Sequence, residues 1–407
     1  MNSNRKSFHP LRLEVNCAFI HGTYWMSYCT IGGFMAVYLA YKGLTDAHIG
    51  LTSSLVYLIG IVLQLTIANF SDSHFSVPIK YIITGMYVAA MIFAAMVNYV
   101  PMPIALMMIA FSLAQAISHA TDCFINAMIV QFNNLGVPVK YGWPRSIGSA
   151  LYALMALVMG IAIEKYSPAI IMPAFVLIAI PGILAVLFLP KPAQYAEPEK
   201  LATYSGKSKG EKVSILQMLT GNPTFVLLLV GLFVAAVGFQ PCNIFMIRIF
   251  ERVGGGADNL GINNFFSSAF QLPVLCLSAV ILKKVKCRNL VFTTIVIHCI
   301  RLFLLIFCDS VVPIYIISAL SGINEGLYVF STLEFANSVV RENEKVRAQS
   351  LIAVARTLGN VVGNSIAGVL IEGNGVQTML GFGTCMCVVA GVIMFFCLRK
   401  DKKRQLA

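Results

Sequence analysis

Six ionisable side chains stand inside long apolar runs: Asp122, Arg145, Arg301, Glu325, Glu334 and Arg356. A fixed charge in hydrocarbon costs about 3 kcal/mol or more unless something answers it, so each asks for a partner or a wet surface. Arg145 lies four residues into the run Tyr141–Ile163, in the stretch Arg-Ser-Ile-Gly-Ser. The pattern returns 211 residues later as Arg356-Thr-Leu-Gly-Asn, again near the start of an apolar run. An acid precedes each arginine by one run, Asp122 before the first and Glu334 before the second, and the recurrence predicts two related halves. Two kinds of chemistry fit: binding of a polar solute by paired acid and guanidinium, or proton exchange by a carboxylate whose neighbour changes. The plainer alternative is a set of structural salt bridges.

The elements that must position these residues follow from composition. Of 407 residues, 58% are apolar and 11% charged, with mean hydropathy +0.81; soluble domains carry about 25% charged residues. The chain is expected to be an all-α integral membrane protein, because the runs are long and unbroken rather than short and alternating. Spans need about 20 apolar residues each, and the length accommodates twelve. The net charge of +12 is spread over short loops, not gathered in a stripe with aromatic residues between, which argues against nucleic acid. The 11 cysteines lack paired metal-ligand spacing and are read as small buried side chains. The first run is too long for a cleaved signal and has no small-residue cleavage site.

Expected spans run 15–41, 47–70, 79–98, 103–130, 141–163 and 168–189, then 223–250, 259–282, 290–308, 311–340, 348–371 and 376–398. The polar stretch Lys191 to Lys212 divides the chain, giving an N-terminal six-helix bundle (1–190), a linker (191–213) and a C-terminal six-helix bundle with a basic tail (214–407). An even count puts 22 of the 29 basic residues in loops on the side of both termini. Positive loops stay in the cytoplasm, so both termini are expected there, in a plasma (inner) membrane.

With span five entering from that side, Arg145 sits roughly 6 Å deep and Asp122 roughly 12 Å deep at about 1.5 Å per residue, a gap that an arginine side chain closes. His119 shares the face of Asp122, and Tyr152 lies two turns beyond Arg145, an aromatic surface for a sugar face or a base. His21, Tyr24, Trp25 and Tyr28 cluster in span one and are read first as packing. In the second half Arg301 and Glu325 fall mid-span, and His298 shares the face of Arg301. Burial favours a protonated carboxylate and an approaching guanidinium an ionised one, so Glu325 is the expected proton carrier. Glu334 with Arg356 mirrors the first pair and is read as structural. Asp72 near Lys80, between spans two and three, is a brake on one conformer or a polar turn. Ser205-Gly-Lys-Ser208 lacks the glycine and the strand of a phosphate loop, and no hydrolase, zinc or dinucleotide motif appears, which argues against an enzyme.

The twelve spans in two halves, Asp122, the Tyr-Gly-x-x-Arg-x-x-Gly opening of span five, and Arg301 with Glu325 resemble the major facilitator superfamily, within it the lactose-permease-like group of oligosaccharide and nucleoside proton symporters. The resemblance implies a solute bound at the midplane, with Asp122 and Arg145 clamping hydroxyls, Tyr152 stacking, and Glu325 with Arg301 handling the proton. Gly322 stands where that group has a histidine, and the carboxylate of its span eight is replaced by the neighbourhood of Ser267, Ser268 and Gln271. The expected function is proton-coupled import of a small polar solute by rocking of two halves, with no cofactor beyond the proton, the lipid bilayer as surroundings, and a monomeric state. The rivals are an exporter of hydrophobic compounds by proton antiport and a non-transporting sensor or scaffold.

Overall fold

A computed structural model describes residues 10–73, 78–134, 137, 139, 142–190 and 215–406. The expected linker, the Ser205–Ser208 stretch and the side chain of Asp72 lie outside the described residues. Everything regular among those described is helical: α1 Pro10–Gly33, α2 Met35–Tyr41, α3 Asp46–Ser73, α4 Ile79–Tyr99, α5 Ile104–Asn134, α6 Gly142–Lys165 and α7 Ile171–Phe188 in the first half of the sequence. In the second come α8 Ile215–Gly221, α9 Pro223–Ile244, α10 Met246–Arg252, α11 Ala257–Cys276, α12 Ser278–Lys284, α13 Cys287–Ile306, α14 Val311–Val339, α15 Lys345–Asn374 and α16 Val376–Leu406.

Against twelve expected spans, ten of the described helices are long and apolar enough to cross a membrane, and α11 with α12 makes an eleventh if that pair is one span. These two helices are bent by 62°. Pro273 sits just before the bend, and a proline inside a helix removes one backbone donor and crowds the preceding turn. Span seven likewise ends early: α9 carries Pro241 and stops at Ile244, and α10 is a separate helix. Span one is two helices, and α1, with Glu14, Asn16, His21, Thr23, Ser27 and Thr30 along it, is not among the ten.

The chain clusters into two compact units. The first comprises residues 1–35, 59–159 and 166–210; the second comprises 36–58, 160–165 and 211–407. In the first unit α1 packs on α7 and α5, and α4 on α5 and α7. The Lys80 ammonium donates to the carbonyls of Leu187 and Leu189 at 2.9 and 3.0 Å, closing the C-terminal end of α7. In the second unit α9 packs on α15 and α16, α13 on α14 and α16, and α11 on α14. The start of α3 is bound into this unit by ions and caps. Arg248 meets Asp46 at 2.8 Å and Glu251 at 2.7 Å, and the Glu372 carboxylate accepts from the Ala47 N–H at 3.0 Å. The end of α6 is bound the same way, Glu164 accepting from the Ala257 N–H at 3.2 Å.

Small residues let α14 approach α11 closely. Gly322 lies against the Ser267 carbonyl, and a Cβ at Gly326 would come within 2.9 Å of Val274. Gly322 is therefore fixed by packing, which accounts for the absence of a larger side chain there. The variant Gly322→Val should cost about 1–3 kcal/mol through overpacking, measured as a lower unfolding temperature of the purified protein in detergent. An unchanged unfolding temperature would show that the two helices do not meet through this stripe.

Candidate functional site

In the first unit the apolar periodicity of α5 leaves Gln115, Ser118, His119, Asp122 and Asn126 along neighbouring turns, while α6 opens with Trp143 and Arg145. Asn126 donates to Asp122 Oδ2 at 3.0 Å; Oδ1 is buried and has no hydrogen-bond partner. Arg145 does not close the expected gap: among the described residues no ion pair joins it to Asp122. Its guanidinium lies over the Trp25 ring at 4.3 Å and donates to Ser149 Oγ at 3.0 Å. Its charge still acts on Asp122 through space. The physical reason is rotation of α6: Gly148 faces α1, where a Cβ would lie 2.6 Å from Trp25 Cδ1, so Arg145, three residues earlier, faces the same helix.

Trp25 is the hub. It makes edge contacts with Tyr24, Tyr28 and Tyr152 at centroid separations of 5.3, 5.7 and 6.1 Å, and Tyr28 in turn meets His119 at 5.9 Å. The Trp25 indole N–H is buried without an acceptor. Glu14, at the start of α1, accepts from the Trp143 indole N–H at 2.8 Å. The structure thus joins Tyr152, His119 and Arg145 through Trp25, which sequence spacing assigned to packing. A mixed aromatic and polar row in a helix too polar for a plain span was the available signal.

The second unit brings His298, Arg301, Glu325, Tyr328 and Arg356 together, with different pairings from those expected. Glu325 Oε1 lies 3.9 Å from His298 Nε2. Arg301 is buried and donates through Nη2 to Asn243 Oδ1 at 3.1 Å, while its Nε and Nη1 have no partner. No ion pair joins Arg301 to Glu325 among the described residues, although the charges of Arg356 and Arg301 both act on Glu325. Phe239 of α9 stacks on the His298 ring at 4.1 Å with 6° between planes, and Tyr328 meets that ring edge-on at 5.6 Å. These contacts hold the imidazole on the α14 side of α13. Arg356 is not paired with Glu334; its guanidinium lies over the Tyr328 ring at 4.8 Å, and Glu334 is exposed. Asn243, Phe239 and Tyr328 carry no charge pattern that sequence spacing could flag.

Charges answered by rings, amides and hydroxyls stand inside helices long and apolar enough to cross a membrane, where ionisable side chains mark functional surfaces by default. Residues 18–382 match the family described as "MFS_1 like family", and the chain belongs to that family, within the major facilitator superfamily. Solved structures bear out the fold. Nucleoside transporter NupG superposes with TM-scores of 0.78 for a point mutant, at 15% identity, and 0.75 for the unsubstituted protein, at 16%, covering 96% and 97% of this chain and 99% of the other. A bacterial homolog of the human lysosomal transporter Spinster, inward-facing and unoccupied, superposes at 0.68 with 15% identity, covering 97% of this chain and 98% of that one. No curated protein sequence matches the chain.

The sequence has only two tryptophans, Trp25 and Trp143. A cation over a desolvated indole contributes about 2 kcal/mol, so in a Trp143→Phe background Arg145→Ala should change the emission maximum and intensity of Trp25, read by steady-state fluorescence. Identical spectra would mean that the guanidinium does not sit on the ring.

Proposed function

We propose that the chain is a proton-coupled secondary active transporter that imports a small polar solute, a sugar, glycoside or nucleoside, by alternating access. The observation that carries the proposal is that Asp122, Arg145, Arg301, Glu325 and Arg356 are each held inside helices without a carboxylate–guanidinium pair among the described residues. A permanent structural bridge would neutralise them; here neutral dipoles and π faces leave their charges able to meet a ligand or a proton. In the first unit Asp122 and Arg145 would hold hydroxyls while Trp25, Tyr28, Tyr152 and His119 offer ring faces. The nucleoside arm gains support from this ring set and from the likeness to a nucleoside transporter.

In the second unit Glu325 takes the proton, with His298, Arg301 and Arg356 setting its surroundings. Both termini face the cytoplasm, and the membrane is the plasma (inner) membrane. The protein works as a monomer with two six-helix halves and a linker at 191–213, and needs no cofactor beyond protons.

In proteoliposomes, Glu325→Gln should abolish pH-driven accumulation of the solute yet leave solute exchange intact; undiminished accumulation would remove Glu325 from coupling. A thermal-shift screen of sugars and nucleosides should find a stabilising solute for the wild type, and Asp122→Asn and Arg145→Gln should each weaken its binding at least about tenfold, the cost of about 1.4 kcal/mol in a charge-assisted contact. Unaltered affinity in both would leave these residues with a structural role.

A further inference from the structure

At 3.6 residues per turn, Ser321, Asn324, Glu325, Tyr328, Ser331 and Thr332 fall within about a third of the circumference of α14. All but Glu325 are at most 3% exposed. Along this face Asn324 Oδ1, Glu325 Oε1, Tyr328 OH, Ser331 Oγ and Thr332 Oγ1 are buried without a hydrogen-bond partner. A buried polar atom left alone costs about 1–3 kcal/mol, and five in a row in one helix call for a common explanation.

The serine and threonine hydroxyls are out of pattern. Helical hydroxyls in apolar surroundings bond back to a carbonyl three or four residues earlier. Ser318 does so to Ile314, Ser338 to Phe335, Thr294 to Val291, Thr357 to Ala353 and Thr384 to Leu380. Ser331 and Thr332 do not, although their carbonyls are equally near in sequence. Their hydroxyls, with that of Tyr328, stay available for other partners. Each can accept and donate at once, the property needed to pass a proton along a chain of water molecules.

We propose that this face of α14 is a proton path that connects Glu325, through Tyr328, Ser331 and Thr332, to the Val339 end of the helix. The proposal rests on the reading of Glu325 as proton carrier. Neighbours three or four residues apart on a helix stand about 5–6 Å apart at Cβ, a separation that one water spans, and because these hydroxyls are sealed from water in this conformation the path conducts when the packing around α14 opens to admit it. From Glu325 to Thr332 the path covers about 10 Å, and a similar length remains to Val339. The charged and titratable groups that surround its inner end are His298 and Arg301 on α13, Arg356 on α15, Cys387 on α16 and Tyr328 on α14 itself. The two guanidinium groups disfavour a free hydronium ion beside them, so the proton rests on the Glu325 carboxylate rather than on water next to it. A proton moves by making one O–H bond and breaking the next at each hydroxyl or water, with no net change in any of them.

Time-resolved infrared spectroscopy of the full chain in liposomes tests this without knowledge of the solute. The protonated carboxyl band of Glu325, identified as the band lost in Glu325→Gln, is followed after transfer to heavy water. Removal of one relay hydroxyl, in Ser331→Ala or Thr332→Val, should slow its hydrogen–deuterium exchange about tenfold, and Ser331→Thr and Thr332→Ser should restore it. Wild-type exchange rates in Ser331→Ala, Thr332→Val and Tyr328→Phe alike would overturn the path while leaving Glu325 as the carrier. Slowing by Ser321→Ala with none by Ser331→Ala would also overturn it, by sending the proton toward the other end of α14. If no Glu325-dependent band exists at any pH at which the protein stays folded, the carrier reading falls and the path with it.

Discussion

An ionised side chain in hydrocarbon has to be answered, and how strongly it is answered decides what it can still do. Breaking a buried ion pair by removing one partner costs about 3–5 kcal/mol, so a charge locked in one is a poor partner for anything transient. Arg145 is answered by an indole face and a hydroxyl, Arg301 by one amide oxygen, and Arg356 by a phenol ring. Interactions of this kind contribute about 1–2 kcal/mol each. They hold the side chain in place while leaving most of its charge uncompensated. Asp122, with one oxygen bonded to Asn126 and one without a partner, is in the same condition.

That pattern also explains which part of the site was legible in the sequence. The charges were visible because an apolar run makes any exception conspicuous, and the recurrence of Arg145-Ser-Ile-Gly in Arg356-Thr-Leu-Gly located two of them. Their partners were not visible. Counting residues along a span gives depth, from which Asp122 and Arg145 seemed within reach, but not the direction in which each side chain points around its helix. Arg145 faces α1 because Gly148 packs there, and nothing near Arg145 in the sequence carries that information. Trp25, 120 positions away, was conspicuous only as one aromatic residue among several. The spans themselves were read well where they are uniformly apolar. Their outlines differ where Pro241 and Pro273 interrupt the backbone, shortening span seven and bending span eight, and α1, rich in polar side chains, is not among the ten candidate spans.

A second repeat lies outside the buried charges. Gly160-Ile-Ala-Ile-Glu164 closes α6 and Gly368-Val-Leu-Ile-Glu372 closes α15. In each, the carboxylate accepts from a backbone N–H at the start of another helix, Ala257 of α11 and Ala47 of α3. In each, the glycine admits that helix's backbone: Gly160 meets Ala257 and Gly261, and Gly368 meets Asp46 and Ala47. A carboxylate at a helix N-terminus meets both free N–H groups and the positive end of the helix dipole. These caps and the close glycine packing beside them, with the Asp46–Arg248 ion pair, hold residues 36–58 and 160–165 in the second unit while the rest of α3 and α6 belongs to the first. The boundary between units therefore runs inside two continuous helices.

The rotation of α14 ties these threads to the chemistry. Gly322 and Gly326 set one side of the helix against α11, and a helix pinned on one side has its other faces determined. Glu325, one residue before Gly326, is thereby turned toward α13 and His298, and Tyr328 toward the same ring and Arg356. A larger residue at position 322 would push α14 away from the Ser267 carbonyl and turn or shift the face that carries Glu325, Ser331 and Thr332. Close packing of small residues and exposure of a carboxylate to a selected neighbour are in this helix one geometric condition, so the position that carries no side chain at all controls what the charged one can reach.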